Sequence, residues 1–149
     1  MKRIAILFIL ALVVCCWGCT KQGVTNLHSM VYGEPTMGVV ANCIAVGAQK
    51  AGWQLERLEP NKFLGTYYVQ NKLGYDEKAA MVEIIYSTSS YRIEYSRTVE
   101  LLYNEQKNTV HKNYNKWVRE LDAAIQRELS KNALDERTKS GVYSNNRYD

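Results

Sequence analysis

Apolar and polar positions divide this chain into four stretches. Residues 4–14 are continuously apolar behind the basic pair Lys2-Arg3. Residues 20–35 are mixed, with Gly23, Gly33 and Pro35, and keep no period. Residues 36–130 are periodic, first with a helical repeat, then strand-like, then helical again. Residues 131–149 hold few apolar side chains and no period, the pattern of a disordered tail.

Within the periodic stretch, Thr36 is placed to cap a helix over residues 37–51 that Gly52 closes. Met37, Val40, Ala41, Ile44, Ala48 and Ala51 share one face. Small side chains dominate that face, which predicts a close approach to a sheet. Gly38 and Gly47 lower the helix's intrinsic stability, so packing must supply the difference. Strand-like runs follow at residues 53–59, 62–70, 77–86 and 91–97. Pro60-Asn61, Asn71-Lys72-Leu73-Gly74 and residues 87–90 supply the turns of an antiparallel meander. Residues 99–103 either continue the last strand past a bulge or form a short extra one, and residues 104–108 turn the chain. A second helix is predicted over residues 113–130. Tyr114, Trp117, Val118, Leu121, Ala124, Ile125 and Leu129 form one stripe on it, with Lys116, Arg119, Asp122 and Arg127 opposite. Two one-sided helices and three or four strands predict a two-layer α+β sandwich: helix, antiparallel meander, helix. About 95 residues are enough for a modest core.

The apolar run at 4–14 is too short to span a bilayer comfortably and ends in Cys15-Cys16-Trp17-Gly18-Cys19-Thr20. A basic start, a short apolar run and a small residue, Gly18, before a cysteine are marks of a secretory signal. The ending resembles the lipobox of bacterial lipoproteins, which implies cleavage before Cys19 and acylation of Cys19 by palmitate-type chains that hold the protein in a bilayer. Cys16 stands where that family usually has an aliphatic residue, and Trp17 is bulky for its place. An uncleaved anchor helix or an ordinary signal cut nearby is the alternative, and either still exports the domain. By the same resemblance, Thr20 after the cysteine favours the outer membrane, facing the periplasm. The chain then divides into a signal peptide at 1–18, a tether at 19–35, an α+β domain at 36–130 and a disordered tail at 131–149. A flexible tether of that length would span about 20–24 Å on average.

The stretch Ala80-Met81-Val82-Glu83-Ile84-Ile85-Tyr86, running on through Tyr91-Arg92-Ile93-Glu94-Tyr95, and then Asn113-Tyr114-Asn115-Lys116-Trp117, resembles a group of small proteobacterial lipoproteins. They share a signal, a helix ending in Gly-Trp, strands and a final Asn-Tyr-Asn-x-Trp helix. The resemblance covers roughly residues 1–130 and implies the architecture; it brings no activity, cofactor or catalytic residue.

Charge and chemistry narrow the picture further. The chain has 19 Lys and Arg against 15 Asp and Glu; removal of Lys2 and Arg3 leaves a net +2, too little to suggest nucleic-acid binding. Cys43 is the one thiol left after cleavage and acylation, which excludes an internal disulfide framework and suits a small packing residue. His28 and His111 have no partner at metal-ligand spacing, so no metal and no cofactor is expected. Nucleophile elbow, phosphate loop and dinucleotide fingerprint are all missing, which argues against an enzyme. Glu83 and Glu94 fall on neighbouring strands with Arg92 and Arg97 close by, which reads as ion pairing on a wet sheet face. Asn113 is placed to cap the last helix, and Tyr114 and Trp117 to plug the gap between helix and sheet.

Aromatic surplus remains. Of eleven tyrosines, Tyr67, Tyr68, Tyr75, Tyr86, Tyr91, Tyr95 and Tyr103 lie in or beside strands. Tyrosine suits strands as such, and it also suits interfaces. Tyr67 and Tyr68 must point opposite ways. Tyr67 is expected on the face away from the helices, sharing it with Phe63 and, on the next strand, Met81 and Ile85. That face is the candidate docking surface for another envelope protein. The runner-up is a pocket between helices and sheet for a small amphiphile or cell-wall fragment.

Overall fold

A computed structural model describes residues 21–69, 78–99 and 109–145. The expected signal at 1–18, Cys19, the turn at 71–74, Tyr75, the stretch 100–108 with Tyr103, and residues 146–149 lie outside the described residues.

The elements run β1 (Lys21–Gly23), β2 (Leu27–Met30), α1 (Met37–Lys50), β3 (Gln54–Glu59), β4 (Lys62–Val69), β5 (Lys78–Tyr86), β6 (Ser90–Val99), β7 (Thr109–His111) and α2 (Lys112–Asn145). The expected meander is present: β3 to β6 pair in sequence, all antiparallel. β2 adds a fifth strand beside β6, giving the order β2-β6-β5-β4-β3, and β1 pairs separately with β7. With two helices among the described residues the fold is α+β, as the periodicity predicts.

Strand alternation decides what enters the core. Phe63 and Gly65 of β4, Ala80, Val82, Ile84 and Tyr86 of β5, and Tyr91 and Ile93 of β6 are all buried on the helix side. Val40, Ile44 and Ala48 of α1 and Tyr114, Val118, Leu121, Ile125 and Leu129 of α2 complete the same cluster. α1 begins as expected, with Thr36 Oγ1 accepting from the Val39 N–H at 3.3 Å. It ends in a Schellman turn at Gly52 (φ +80°), where Gly52 N–H bonds Gln49 and Trp53 N–H bonds Ala48. The small-residue face of α1 joins the sheet residues in the buried cluster, and Gly47 beside it brings the helix close to α2 as well. A Cβ on Gly47 would sit 2.7 Å from Ile125 Cα and 2.8 Å from Ile125 N, so Gly47 marks where α1 crosses α2.

Residues 19–35, expected as a tether, contribute both β1 and β2. Leu27 and Ser29 face the helix side in register with Ile93 and Tyr91, while His28 and Met30 face outward. Four alternating residues are too few to reveal a strand when the partners lie 60 or more positions away in β6. Asn115 fastens the segment further. It is 3 % exposed; its Nδ2 donates to Gly23 O at 2.7 Å and its Oδ1 accepts from Thr25 N–H at 3.1 Å. Asn26 Oδ1 accepts from Tyr95 N–H at 3.0 Å. On α2, Asp122 accepts from both Ser29 Oγ (2.9 Å) and Tyr91 Oη (2.5 Å), tying β2 and β6 to the helix.

The C-terminal expectations are corrected as well. α2 starts directly after β7 at Lys112, so Asn113 lies inside the helix and does not cap it. The expected disordered tail is helical through Asn145. Ala133, Leu134, Glu136, Arg137 and Lys139 favour helix, and a core-packed helix needs no new nucleus to extend. Glu136 and Lys139 pair at 2.8 Å along it. Composition without a period signals lack of burial, and 131–141 are indeed mostly exposed, but exposure is compatible with helix.

Two buried tyrosines differ in one respect that experiment can read. Tyr91 Oη has a partner in Asp122, whereas Tyr114 Oη has none among the described residues. Burial, and for Tyr91 also the bond to Asp122, pushes both phenols above their usual range. Tyr114→Phe removes an unsatisfied buried hydroxyl and should leave stability at pH 7 unchanged or raise it by up to about 1 kcal/mol, while Tyr91→Phe should cost about 1–3 kcal/mol. Raised phenol values mean the neutral form is favoured in the fold. Their contribution is intact below the unfolded value near 10 and is lost as pH rises through the folded one. Urea titrations across pH 9–12 should show a shallower alkaline loss in Tyr114→Phe than in the parent.

Candidate functional site: the open sheet face

Both helices lie on one side of the sheet, and the register orders the side chains of the other side into rows across the strands. The first row holds His28, Arg92, Ile85, Lys62 and Glu59. Glu94, Glu83, Leu64 and Glu56 form the second, and Arg97, Met81, Thr66 and Gln54 the third. Val99, Ala79 and Tyr68 form the last. A bulge opposite Met81 and Val82 lets Tyr95 face the core and Arg97 face outward.

The expected site residues split across the sheet. Met81 and Ile85 lie half-buried on the open face. Tyr67 and Phe63 do not join them. Tyr67 packs inward between Trp53 (ring centroids 5.4 Å) and Trp117 (4.9 Å). Phe63 is buried against Tyr86 at 5.4 Å, with the Arg57 guanidinium 4.5 Å from its ring. Parity within β4 was legible, but which parity faces the helices was not. Gly65 settles it: its missing Cβ gives room to Trp53 Cε3, Leu55 Cδ2 and Val82 Cγ2, all on the core side. Tyr68 takes the outward place and is 47 % exposed, beside Val99 at 41 %.

The carboxylates behave as a wet-face network. Glu83 and Glu94 stand directly opposite each other, a repulsive pairing relieved from both sides. Lys62 Nζ lies 3.6 Å from Glu83 and 3.0 Å from Glu59, and Arg92 Nε lies 2.9 Å from Glu94. Glu59 first, then Glu83, holds the Lys62 ammonium above its ordinary range. Arg97, expected in this network, instead donates to Met81 Sδ at 2.8 Å.

Elsewhere the chemistry is sparse. Among the described residues no group of three His, Cys, Asp or Glu side chains could hold a metal ion, and no helix is long and apolar enough to cross a membrane. Cys43 is buried, and burial followed by Glu128 pushes its thiol up, away from reactivity. Open clefts lie between residues 32–35 and α2 (about 360 Å³), between the two hairpin turns at Asn61 and Ser87 (about 310 Å³), and between Cys43 and Asp135 on the outer side of the helices (about 160 Å³). These three clefts sit outside the layer between helices and sheet. In comparisons with known proteins the chain matches no family model and no curated protein.

Proposed function

We propose that this chain is a lipid-anchored envelope lipoprotein, held through acylated Cys19 in the outer membrane and facing the periplasm, whose domain works without catalysis by docking another envelope protein. The open sheet face supports this reading. Tyr68 and Val99 stand half-exposed at one end, Met81, Leu64 and Ile85 extend the apolar surface, and the Glu94–Glu83 row crosses it. A few aromatic and aliphatic anchors inside a charged surround are the composition of a binding patch. Tyr68 replaces Tyr67 as its aromatic anchor.

Changing Tyr68 and Met81 together to Ser tests this. Neither side chain belongs to the core cluster, so the thermal transition should stay close to that of the parent. Loss of two anchors worth about 1–2 kcal/mol each weakens binding by on the order of 100-fold. Crosslinks to the partner in intact cells should therefore disappear. A folded double variant that keeps every crosslink sinks the proposal.

A further inference from the structure

The turn end of the open sheet face holds chemistry that apolar docking does not explain. The cleft between the β3–β4 and β5–β6 turns measures about 310 Å³. That is room for a phosphate group on a short carrier, at the low end of small-molecule sites, which run from about 300 to 1,000 Å³. Its polar lining converges from four places. His28 of β2 and Arg92 of β6 are direct ladder partners on the open side, with Cβ atoms about 4.5–5.5 Å apart. Asn61 contributes from the β3–β4 turn and Ser90 from the start of β6, while Ile85 adds an apolar surface. Among the described residues no carboxylate lines the cleft. Glu94 and Glu83 lie in the next row, each already facing a cation.

The frame around these side chains is fixed by its own bonds. Ser87 Oγ accepts from the Ser89 and Ser90 N–H groups at 3.2 and 3.0 Å and holds the β5–β6 turn. Tyr86 N–H donates to Asn61 O at 3.0 Å and ties the two turns together. Val31 N–H donates to Ser89 O at 2.8 Å and brings in the end of β2. Donors remain available on that frame. Arg92 meets Glu94 through Nε at 2.9 Å, which leaves its two terminal amino groups. Neither the His28 ring nor the Asn61 side-chain amide has a partner among the described residues. Ser90 Oγ has one long contact, 3.3 Å to Ser87 Oγ, and its hydrogen can turn to a ligand instead.

We infer that this cleft binds a phosphate group, free, on a small molecule or on a lipid headgroup. Donors on several sides of a cleft without a carboxylate fit an oxyanion. They exceed what the two oxygens of a carboxylate can use, and the planar Arg92 fork suits a phosphate edge. The site stands apart from the docking reading, because it uses neither Tyr68 nor Met81 and needs no protein partner.

The test uses the full chain, isotope-labelled at histidine, in micelles of a neutral detergent at constant pH. Inorganic phosphate is titrated against the ring signals of His28, with His111 in the β1–β7 ladder as internal reference. Binding predicts a saturable shift at His28 that leaves His111 unmoved and that sodium chloride at equal ionic strength does not reproduce. Arg92→Gln should weaken binding by about ten-fold or more, and Arg92→Lys, which keeps the charge without the fork, by less. Arg97→Gln, two rows away, should leave it unchanged. Dihexanoyl phosphatidylglycerol separates the sources. A shift with the lipid marks a site open to headgroups, and a shift with inorganic phosphate alone marks a site for soluble phosphates. No saturable shift with either ligand, an equal response to chloride, or a folded Arg92 variant of either kind that binds like the parent overturns the site.

Discussion

Gly47→Ala should lower the thermal transition by on the order of 10 °C, although Ala is the better helix former. In an open helix the exchange gains about 1 kcal/mol. Here the new Cβ would lie 2.7 Å from Ile125 Cα, 2.8 Å from its N and 3.0 Å from the Ala124 carbonyl carbon. These are backbone atoms of α2 and cannot swing aside, so the helices must separate and the buried cluster around Ile44 and Leu121 must loosen. Overpacking of this kind costs about 1–3 kcal/mol and sometimes more. For a domain of this size each kcal/mol moves the transition by about 4–8 °C. Gly38→Ala is the internal control. A Cβ there meets nothing closer than Thr36 Oγ1 at 3.9 Å, and the transition should rise slightly. Calorimetry on the pair gives opposite signs if the crossing is as tight as described; a rise in both would mean the helices are farther apart.

Asn115→Ala should cost about 1–3 kcal/mol, since two part-buried backbone groups lose their partner at once. Gly23 O and Thr25 N–H are both held by the one amide. The loss is local as well as global. Exchange of the Thr25 amide hydrogen should quicken far more than that of Ile84 or Ile93 in the central strands, because the N-terminal segment is released before the sheet opens. Asn115→Asp is the sharper variant. It keeps the shape and the acceptor for Thr25 N–H but sets a second oxygen against Gly23 O, where the donor now stands 2.7 Å away. It should be no better tolerated than Ala. Unchanged Thr25 exchange in both variants would show that the segment is held by its ladders alone.

These two positions show where sequence reading succeeds and where it stops. Gly47 reads from the sequence as a weak point of a helix, because intrinsic propensity is a local property. That it is the contact point of two helices depends on a partner some 78 positions away at Ile125. Asn115 lies in a motif legible beside Trp117, and its neighbour Tyr114 is buried as the stripe predicts. The carbonyl and amide it serves belong to a stretch whose own pattern resembles a linker.

Local chemistry within the sequence determined the elements bounded by strong signals: α1 between Thr36 and Gly52, the hairpins at Pro60-Asn61 and at 87–90, and the α2 stripe from Tyr114 to Leu129. Each rests on capping, turn geometry or a period repeated over many residues, and these act without distant partners. Three things were left to the tertiary structure. Residues 21–23 and 27–30 become strands because β7 and β6 offer free edges, not through their own propensity. Residues 131–145 stay helical because the packed half of α2 has already met the cost of nucleation. The side of β4 that faces the helices was decided by Trp53, which needs the space over Gly65 and so draws Tyr67 inward to stack on Trp117, leaving Tyr68 to the open face. Period two assigns adjacent residues to opposite faces, but only the partner layer determines which face is buried.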